Sequence, residues 1–139
     1  MASDTDSKYI ARTPDYCDID LDFMIHPKTK QLVLRYGKNA IIRSVRNLVF
    51  TNYYDRPFRS GIGSNVRAIL FDNITPTTLL LLQDEIRRVL TTYEPRIEIQ
   101  DIVAKQDDND ENGFVITITF TILNTSEPVV TSLFLERIR

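Results

Sequence analysis

Residues 75–97 read TPTTLLLLQDEIRRVLTTYEPRI and contain, in order, a helix start, a buried stripe and a helix stop. Thr75 suits the N-cap position, and Pro76 suits the first helical position because its missing N–H needs no partner there. Apolar residues then recur at steps of three and four, the period of one buried helix face. They are Leu79, Leu82, Ile86, Val89 and Tyr93. Because Pro95 cannot continue a helix, we expect the helix to end near Tyr93 and a strand to follow.

The corner after this helix carries two opposite charges around its proline. Pro95 favours an extended conformation at Glu94, and residues two apart in an extended segment point to the same side. We therefore expect Glu94 and Arg96 to project together from a stiff corner. A corner requires the proline but neither the carboxylate nor the guanidinium beside it. We expect this pair of charges to face a partner.

Three strands are predicted after the corner. The first begins at Ile97, and the second spans 114–123 with strict alternation. Its inward face would consist of Phe114, Ile116, Ile118, Phe120 and Ile122. The intervening loop, 107–113, resembles half of a calcium-binding EF-hand loop, but Thr119 stands where such a loop has its bidentate Glu. A hairpin turn without calcium is therefore the better interpretation.

The last predicted strand, 129–137, is apolar on both faces. Val129, Thr131, Leu133 and Leu135 lie on one face, and Val130, Ser132 and Phe134 lie on the other. A strand of this kind is an aggregation hazard on an open sheet edge. Two explanations stay open: a helix covers the second face, or another chain completes the strand by β-augmentation.

The first part of the chain predicts a strand with an acidic face. Apolar residues alternate with acids from Cys17 to Ile25, which indicates one buried apolar face. The acidic face consists of Asp18, Asp20 and Asp22. Three acids in a row suit a metal or a basic partner. A solvated or Arg-paired face is nevertheless the better interpretation, because no further ligand motif accompanies them.

Two further helices and a short strand at 31–36 complete the prediction. One helix is expected from Ala40 with Asn39 as N-cap, and a short one after Ser64 as its cap. These elements predict an α+β fold, with two main helices plus one short helix packed on one face of a mainly antiparallel sheet. We expect a flexible N-terminal arm at 1–16 and a single domain at 17–139 that ends in the C-terminal strand.

Composition is that of an ordinary globular domain. The 139 residues are 42% hydrophobic and 26% charged, with no apolar run long enough to span a membrane. The polar, acidic start does not resemble a signal peptide. The single Cys17 cannot form an internal disulfide, which fits folding in a reducing cytoplasm.

Charge is distributed unevenly, although the net charge is only −2. Residues 28–71 contain nine Lys or Arg and one acid, so this segment carries +8 and the rest of the chain −10. A solvated basic face, a polar protein interface and a nucleic-acid surface all fit such a segment. A nucleic-acid-binding module that uses residues 28–67 is therefore the alternative function, although no groove-reading motif is present.

Enzyme chemistry finds little support in these residues. His26 is the only histidine, so no Ser-His-Asp set is available, and 61–63 is too short for a dinucleotide-binding fingerprint. Glycoside hydrolysis needs a carboxylic acid with a raised pKa, whereas Arg96 would lower the pKa of Glu94. We expect no catalytic residue, no metal and no cofactor.

Four motifs in a fixed order give the chain a family resemblance. They are Asp18-Ile19-Asp20, Arg56-Pro57-Phe58, Leu70-Phe71-Asp72-Asn73-Ile74-Thr75-Pro76 and Tyr93-Glu94-Pro95-Arg96-Ile97. With these motifs the chain resembles the baseplate sheath-initiator proteins of contractile-tailed phages, often labelled lysozyme-like baseplate wedge proteins. Type VI secretion systems carry a related baseplate component. The resemblance extends over residues 18–123.

The resemblance implies a structural role in the virion. Family members lie in six copies in the inner baseplate around the tail tube, link wedge proteins to the first sheath ring and initiate sheath assembly. Their Glu-Pro-Arg corner contacts the wedge core, a role that falls here on Glu94, Pro95 and Arg96. A secondary partner-binding segment matches Arg56, Pro57 and Phe58. Many members have Gly-Glu-Arg there, where this chain has Tyr54-Asp55-Arg56.

The resemblance also implies how the sheath is contacted and where the protein resides. Sheath contact by strand augmentation would fall on Val129, Thr131, Leu133 and Leu135. The implied location is the tail baseplate of the virion, reached by assembly in the host cytoplasm, with neither a membrane nor a nucleic acid as partner. The lysozyme label implies cell-wall cleavage, which the residues of this chain do not support.

Overall fold

The computed structural model describes residues 16–20, 22–73, 75–108, 110, 112–123 and 125–137. Within these residues the chain forms five strands and three helices, in an α+β arrangement with antiparallel sheets, which confirms the predicted fold class. It divides into two compact units, 1–41 and 42–139. The arm expected at 1–16 lies outside the described residues except for Tyr16. The single domain expected at 17–139 stays a prediction.

The first unit contains a short antiparallel ladder. Its strands are β1 (Cys17–Ile19) and β2 (Leu34–Tyr36), with Cys17 opposite Tyr36. The prediction of a buried apolar face was wrong here, since Ile19 and Phe23 are exposed whereas Asp20 is buried. Arg35 explains this burial, because its guanidinium lies 2.8 Å from the Asp20 carboxylate and compensates the charge. The Arg-paired interpretation is thus confirmed for Asp20.

The three helices follow the predicted order with corrected starts. They are α1 (Gly37–Phe50), α2 (Val66–Phe71) and α3 (Pro76–Tyr93). α1 begins at Gly37 rather than at Ala40, so Asn39 lies inside the helix and is not its N-cap. Gly37 adopts a positive φ of 57° where the chain turns from β2 into the helix. Ser64 does not cap α2. Its hydroxyl donates instead to the Val49 carbonyl at 2.7 Å.

Helix α3 has the boundaries that its sequence predicts. Thr75 is the N-cap, and its side-chain oxygen accepts a hydrogen bond from the Thr78 N–H at 3.1 Å. The buried stripe is shifted slightly from the prediction, because Leu79 and Tyr93 are only half-buried. The buried residues of α3 are Thr78, Leu82, Ile86, Val89 and Leu90.

The second unit is built on a three-stranded antiparallel sheet. Its strands, in the order β3-β4-β5, are β3 (Ile97–Gln106), β4 (Gly113–Ile122) and β5 (Pro128–Glu136). The alternation predicted for β4 is confirmed, with Phe114, Ile116, Ile118 and Phe120 fully buried. Each such side chain contributes roughly 1.5–3 kcal/mol through burial. The acidic segment between β3 and β4 is a hairpin loop, as predicted, with the Asp107 N–H donating to the Gly113 carbonyl at 2.9 Å.

Candidate partner-binding site

The corner forms because α3 cannot pass Pro95. Glu94 is the C-cap residue, and its N–H donates to the Leu90 carbonyl at 2.9 Å, which is the last helical hydrogen bond. The chain then leaves the helix axis and enters β3 at Ile97. The helix end and the strand start therefore hold Glu94 and Arg96 on either side of one rigid turn.

Glu94 is the centre of a compact hydrogen-bonded cluster. Its side chain is only 2% exposed. The Arg96 guanidinium donates to both carboxylate oxygens, from Nε to Oε1 at 2.6 Å and from Nη2 to Oε2 at 2.8 Å. The Ser44 hydroxyl, from the middle of α1, donates to Oε2 at 2.5 Å. The two bonds from Arg96 fix the plane of its guanidinium as well as its position.

Electrostatics keep the Glu94 carboxylate ionised. Burial alone would raise its pKa, but the hydrogen bonds from Arg96 and Ser44 and the Arg96 charge outweigh that effect, so its pKa lies below the ordinary value. An ionised carboxylate held by hydrogen bonds from Arg96 and Ser44 has no proton to give at neutral pH. Glu94 is therefore unsuited to act as the general acid of a glycoside hydrolase.

The cluster differs from the outward pair of charges expected from the sequence. Glu94 points into the fold, whereas Pro95 is exposed and the Arg96 side chain is 24% exposed. The surface of the corner thus includes Pro95 and part of the Arg96 side chain, whereas the Glu94 carboxylate is buried. Ser44 was missed because it lies fifty residues from Glu94 in the chain and no local pattern connects the two. The assignment of the corner to partner binding stays a prediction.

The secondary segment lies in the loop between α1 and α2. Arg56, Pro57 and Phe58 are all exposed there, and Phe58 is as exposed as in an extended peptide, at 106%. The last turn of α3 holds this loop, because the Tyr93 hydroxyl donates to the Gly61 carbonyl at 2.7 Å. The loop and the corner are therefore anchored to the same helix end.

Strand β5 has one covered face and one open face. Val129, Leu133 and Leu135 are buried, whereas Val130 and Phe134 are 63% and 49% exposed. Among the strands that the structure describes, β5 pairs with β4 and lies at one edge of the three-stranded sheet. Of the four residues assigned to sheath contact, Thr131 is half-buried and the other three belong to the core. A partner strand would therefore meet the backbone edge rather than these side chains.

Some basic side chains of residues 28–71 form contacts within the chain. Arg35 pairs with Asp20, and the Arg46 guanidinium lies 5.7 Å from the centre of the Phe50 ring. A nucleic-acid-binding role for residues 28–67 stays a prediction. Within the described part of the chain, no three His, Cys, Asp or Glu side chains form a group able to hold a metal ion, and no helix has the length and apolar content needed to cross a membrane.

Comparison with known proteins defines the family. Residues 35–127, more than half of the chain, match the family described as baseplate wedge protein gp25. The chain belongs to this family, and the family recognised from its motifs is confirmed. Baseplate wedge protein gp25 of Enterobacteria phage T4 is 25% identical over 116 residues, which cover 82% of this chain and 85% of that protein.

Solved structures share the fold. A Geobacter sulfurreducens protein named as a tail lysozyme is 25% identical with a TM-score of 0.72, and the match covers 78% of this chain and 98% of that chain. A chain in the baseplate of the anti-feeding prophage is 23% identical, also with a TM-score of 0.72, over 81% of this chain and 90% of that chain. The second likeness shows the fold alone.

Proposed function

We propose that the protein is a structural component of the inner baseplate of a contractile phage tail, where it links wedge proteins to the first sheath ring and initiates sheath assembly. Its membership of the baseplate wedge protein gp25 family supports a structural baseplate role. The observation that carries the docking assignment is the buried Glu94 carboxylate, which holds the guanidinium of the partly exposed Arg96 side chain in one fixed position.

The corner divides its roles among its residues. Pro95 and Arg96 would touch the wedge core, since both reach the surface. Glu94 and Ser44 are positioning residues, because they act on a partner only through Arg96. A guanidinium fixed at two points loses less side-chain freedom on binding, which favours affinity. A carboxylate on the wedge protein is the natural acceptor for it.

The sheath contact is assigned to the backbone edge of β5. β5 pairs with β4 in a defined register at the edge of the sheet. Its buried face holds the strand in place there. A reconstruction of the assembled tail tests this assignment. A sheath strand paired with β5 is expected, and a β5 edge covered by any other element would refute it.

The remaining parts of the proposal follow from the same role. Six copies would surround the tail tube within the virion baseplate, after assembly in the host cytoplasm, and the protein would have no cell-wall-cleaving activity. The salt bridge of Glu94 supports the expectation that the protein does not cleave cell walls. Lysis of peptidoglycan by the purified protein, abolished in Glu94→Gln, would overturn it.

Substitution of Arg96 tests the docking role directly. Arg96→Ala should remove the chain from assembled baseplates, measured by complementation of a phage that lacks the gene and by the protein content of purified particles. Because the variant leaves the buried Glu94 carboxylate without its partner, circular dichroism of the isolated chain first verifies that it is folded. Arg87→Ala is the matched control, because Arg87 is an exposed arginine in the middle of α3. Normal incorporation of the Arg96 variant would refute the role of the corner.

A further inference from the structure

We propose that the loop formed by residues 53–62, here called the aromatic loop, is a rigid docking element for an acidic protein surface that contains an apolar pocket. The inference rests on the proposed baseplate role, and it adds a second contact with its own chemistry. Tyr54 and Phe58 would be the anchors that enter the partner, and arginines around them would meet its carboxylates.

The two aromatic side chains are unusually exposed for their size. Tyr54 is 83% exposed and Phe58 is 106% exposed, so neither contributes its ring to the core. Single apolar residues on a surface are common, and exposure alone would not indicate a site. The backbone beneath these two residues provides the stronger argument.

Both residues adopt a left-handed backbone conformation. Their φ angles are 70° for Tyr54 and 69° for Phe58. Bulky residues rarely occupy this region, because the Cβ atom then crowds the carbonyl oxygen. Such strained positions persist when the surrounding structure enforces them, and they concentrate at functional sites. Here both left-handed residues carry aromatic rings that are exposed to solvent.

Hydrogen bonds within the loop enforce this conformation. The Tyr54 N–H donates to the Ser60 carbonyl at 3.1 Å, which closes the loop across its base. The Asp55 carboxylate accepts from the Asn52 N–H at 2.8 Å. Gly63 packs so closely against the preceding segment that a Cβ there would lie 2.5 Å from the Asn52 carbonyl carbon. The loop is therefore held by its own backbone at both ends.

Helix α3 braces the loop from outside. In addition to the bond from Tyr93 to Gly61, the Glu85 carboxylate accepts from the Asn65 N–H at 2.7 Å. Arg88 bonds to the same carboxylate and to the Tyr53 hydroxyl. An exposed loop with this many anchors loses little conformational freedom on binding, which is the property of a preorganised docking element.

The charge around the loop selects the partner. Arg56, Arg59 and Arg67 are exposed, and none of them forms an ion pair with any residue that the structure describes. Asp55, the one acid in the loop, is engaged by Asn52. An open groove of about 530 Å³ adjoins the loop, lined in part by Tyr54, Arg67 and Phe71. A partner with carboxylates beside an apolar pocket complements this surface.

A protein fits this surface better than a nucleic acid. Aromatic side chains and arginine are the residues enriched at the energetic centres of protein interfaces. Binding of a nucleic-acid strand uses a groove in which several rings stack on successive bases. Here only two of the three rings on one short loop are strongly exposed, and the whole chain has a net charge of −2.

Site-specific crosslinking in assembled baseplates tests the proposal. A photoreactive benzoylphenylalanine replaces Phe58 in the full chain, and mass spectrometry of purified, irradiated particles identifies the crosslinked residues. The expected product joins position 58 to an apolar residue of another baseplate protein, next to Asp or Glu. Crosslinks to nucleic acid, to a second copy of this chain or to no partner would each overturn the proposal.

Competition between chains gives a second test. Wild-type and Phe58→Ala chains supplied in equal amounts should enter baseplates in unequal amounts, with the variant depleted about tenfold or more, as for an interface hot spot. The double variant Arg56→Glu/Arg59→Glu should be depleted similarly. Leu80→Ala is the matched control, because Leu80 is an exposed apolar residue on α3, at 60%. Equal incorporation of Phe58→Ala would refute the proposal.

Phe58→Gly separates docking from folding. Glycine accepts the positive φ without strain, so this variant should be at least as stable as the wild type and still be depleted from baseplates. Depletion of Arg96→Ala with full incorporation of Phe58→Gly would reject the aromatic loop and leave the proposed function intact. Absence of the wild-type chain from baseplates would reject the proposed function itself.

Discussion

Glu94 Oε1 lies 2.6 Å from Arg96 Nε, so a buried carboxylate binds the guanidinium of a partly exposed side chain two residues further along the chain. Of these two charged side chains, only the positive one is partly exposed. The negative charge orients it and is itself stabilised by Ser44. In the proposed docking role Glu94 is a positioning residue, and its contribution to stability can be measured in the isolated chain.

Glu94→Gln should lower the free energy of unfolding by about 1–3 kcal/mol, because it weakens charge-assisted hydrogen bonds at a buried position. Urea denaturation of the isolated chain measures the change. Glu98→Gln on β3 is the control, since Glu98 is exposed and its loss should change stability by less than about 0.5 kcal/mol. Equal midpoints for the two variants would contradict the stabilising role of Glu94.

Ser44→Ala should be destabilising although alanine favours helices. The hydroxyl donates a hydrogen bond to an ionised carboxylate, and losing such a bond costs roughly 1.5–3 kcal/mol, partly offset by about 0.5 kcal/mol of helix propensity. Urea denaturation should therefore show a net loss of about 1–2 kcal/mol. When Glu94→Gln is already present, the loss caused by Ser44→Ala should be smaller, because the acceptor of the hydrogen bond is no longer charged. Additive effects in the double variant would indicate that the two residues act independently.

Stability should fall in acid through Glu94. Its pKa is lowered in the folded state from an ordinary value of 4.5, so the unfolded chain takes up the proton first as pH falls. The stabilisation is complete above pH 4.5 and is lost as pH falls through the folded pKa. The difference in unfolding free energy between the wild type and Glu94→Gln should therefore narrow below that pH. A difference that stays constant or grows in acid would show that the folded pKa is not lowered.

Gly63→Ala should be strongly destabilising, whereas Gly61→Ala should not. A Cβ at Gly63 would lie 2.5 Å from the Asn52 carbonyl carbon and 2.6 Å from its oxygen, and these are backbone atoms that cannot move aside. Overpacking of this kind costs about 1–3 kcal/mol or more. At Gly61 a Cβ meets nothing within 4 Å, which makes it the matched control. Thermal unfolding compares the two, and similar melting temperatures would contradict the tight packing of the aromatic loop.

Local chemistry made much of the fold predictable. Thr75 and Pro76 define where α3 begins, and Pro95 defines where it ends, because caps and prolines act on their immediate neighbours. The strict alternation in β4 likewise predicted which residues are buried. These signals depend only on neighbouring residues, and tertiary structure did not override them.

The parts that could not be predicted depend on contacts between distant residues. The burial of Asp20 is explained by Arg35, and the inward orientation of Glu94 is explained by Arg96 together with Ser44. Sequence patterns place a lone acid at the surface, since a buried charge is tolerated only when a partner compensates it. A partner that is distant in the chain cannot be identified from local patterns. The left-handed backbone of Tyr54 and Phe58 was not predicted either, because neither residue type favours it and the hydrogen bonds that hold this loop join residues apart in the chain.

In the proposed docking role, the cluster around Glu94 would also distinguish folded from misfolded copies during assembly. Its three members come from the middle of α1, the end of α3 and the start of β3. The guanidinium therefore reaches its set orientation only after both helices and the sheet have come together. A chain with α1 undocked would present a mobile arginine and bind wedge proteins poorly. Recruitment through Arg96 would thus admit folded copies and leave misfolded ones behind.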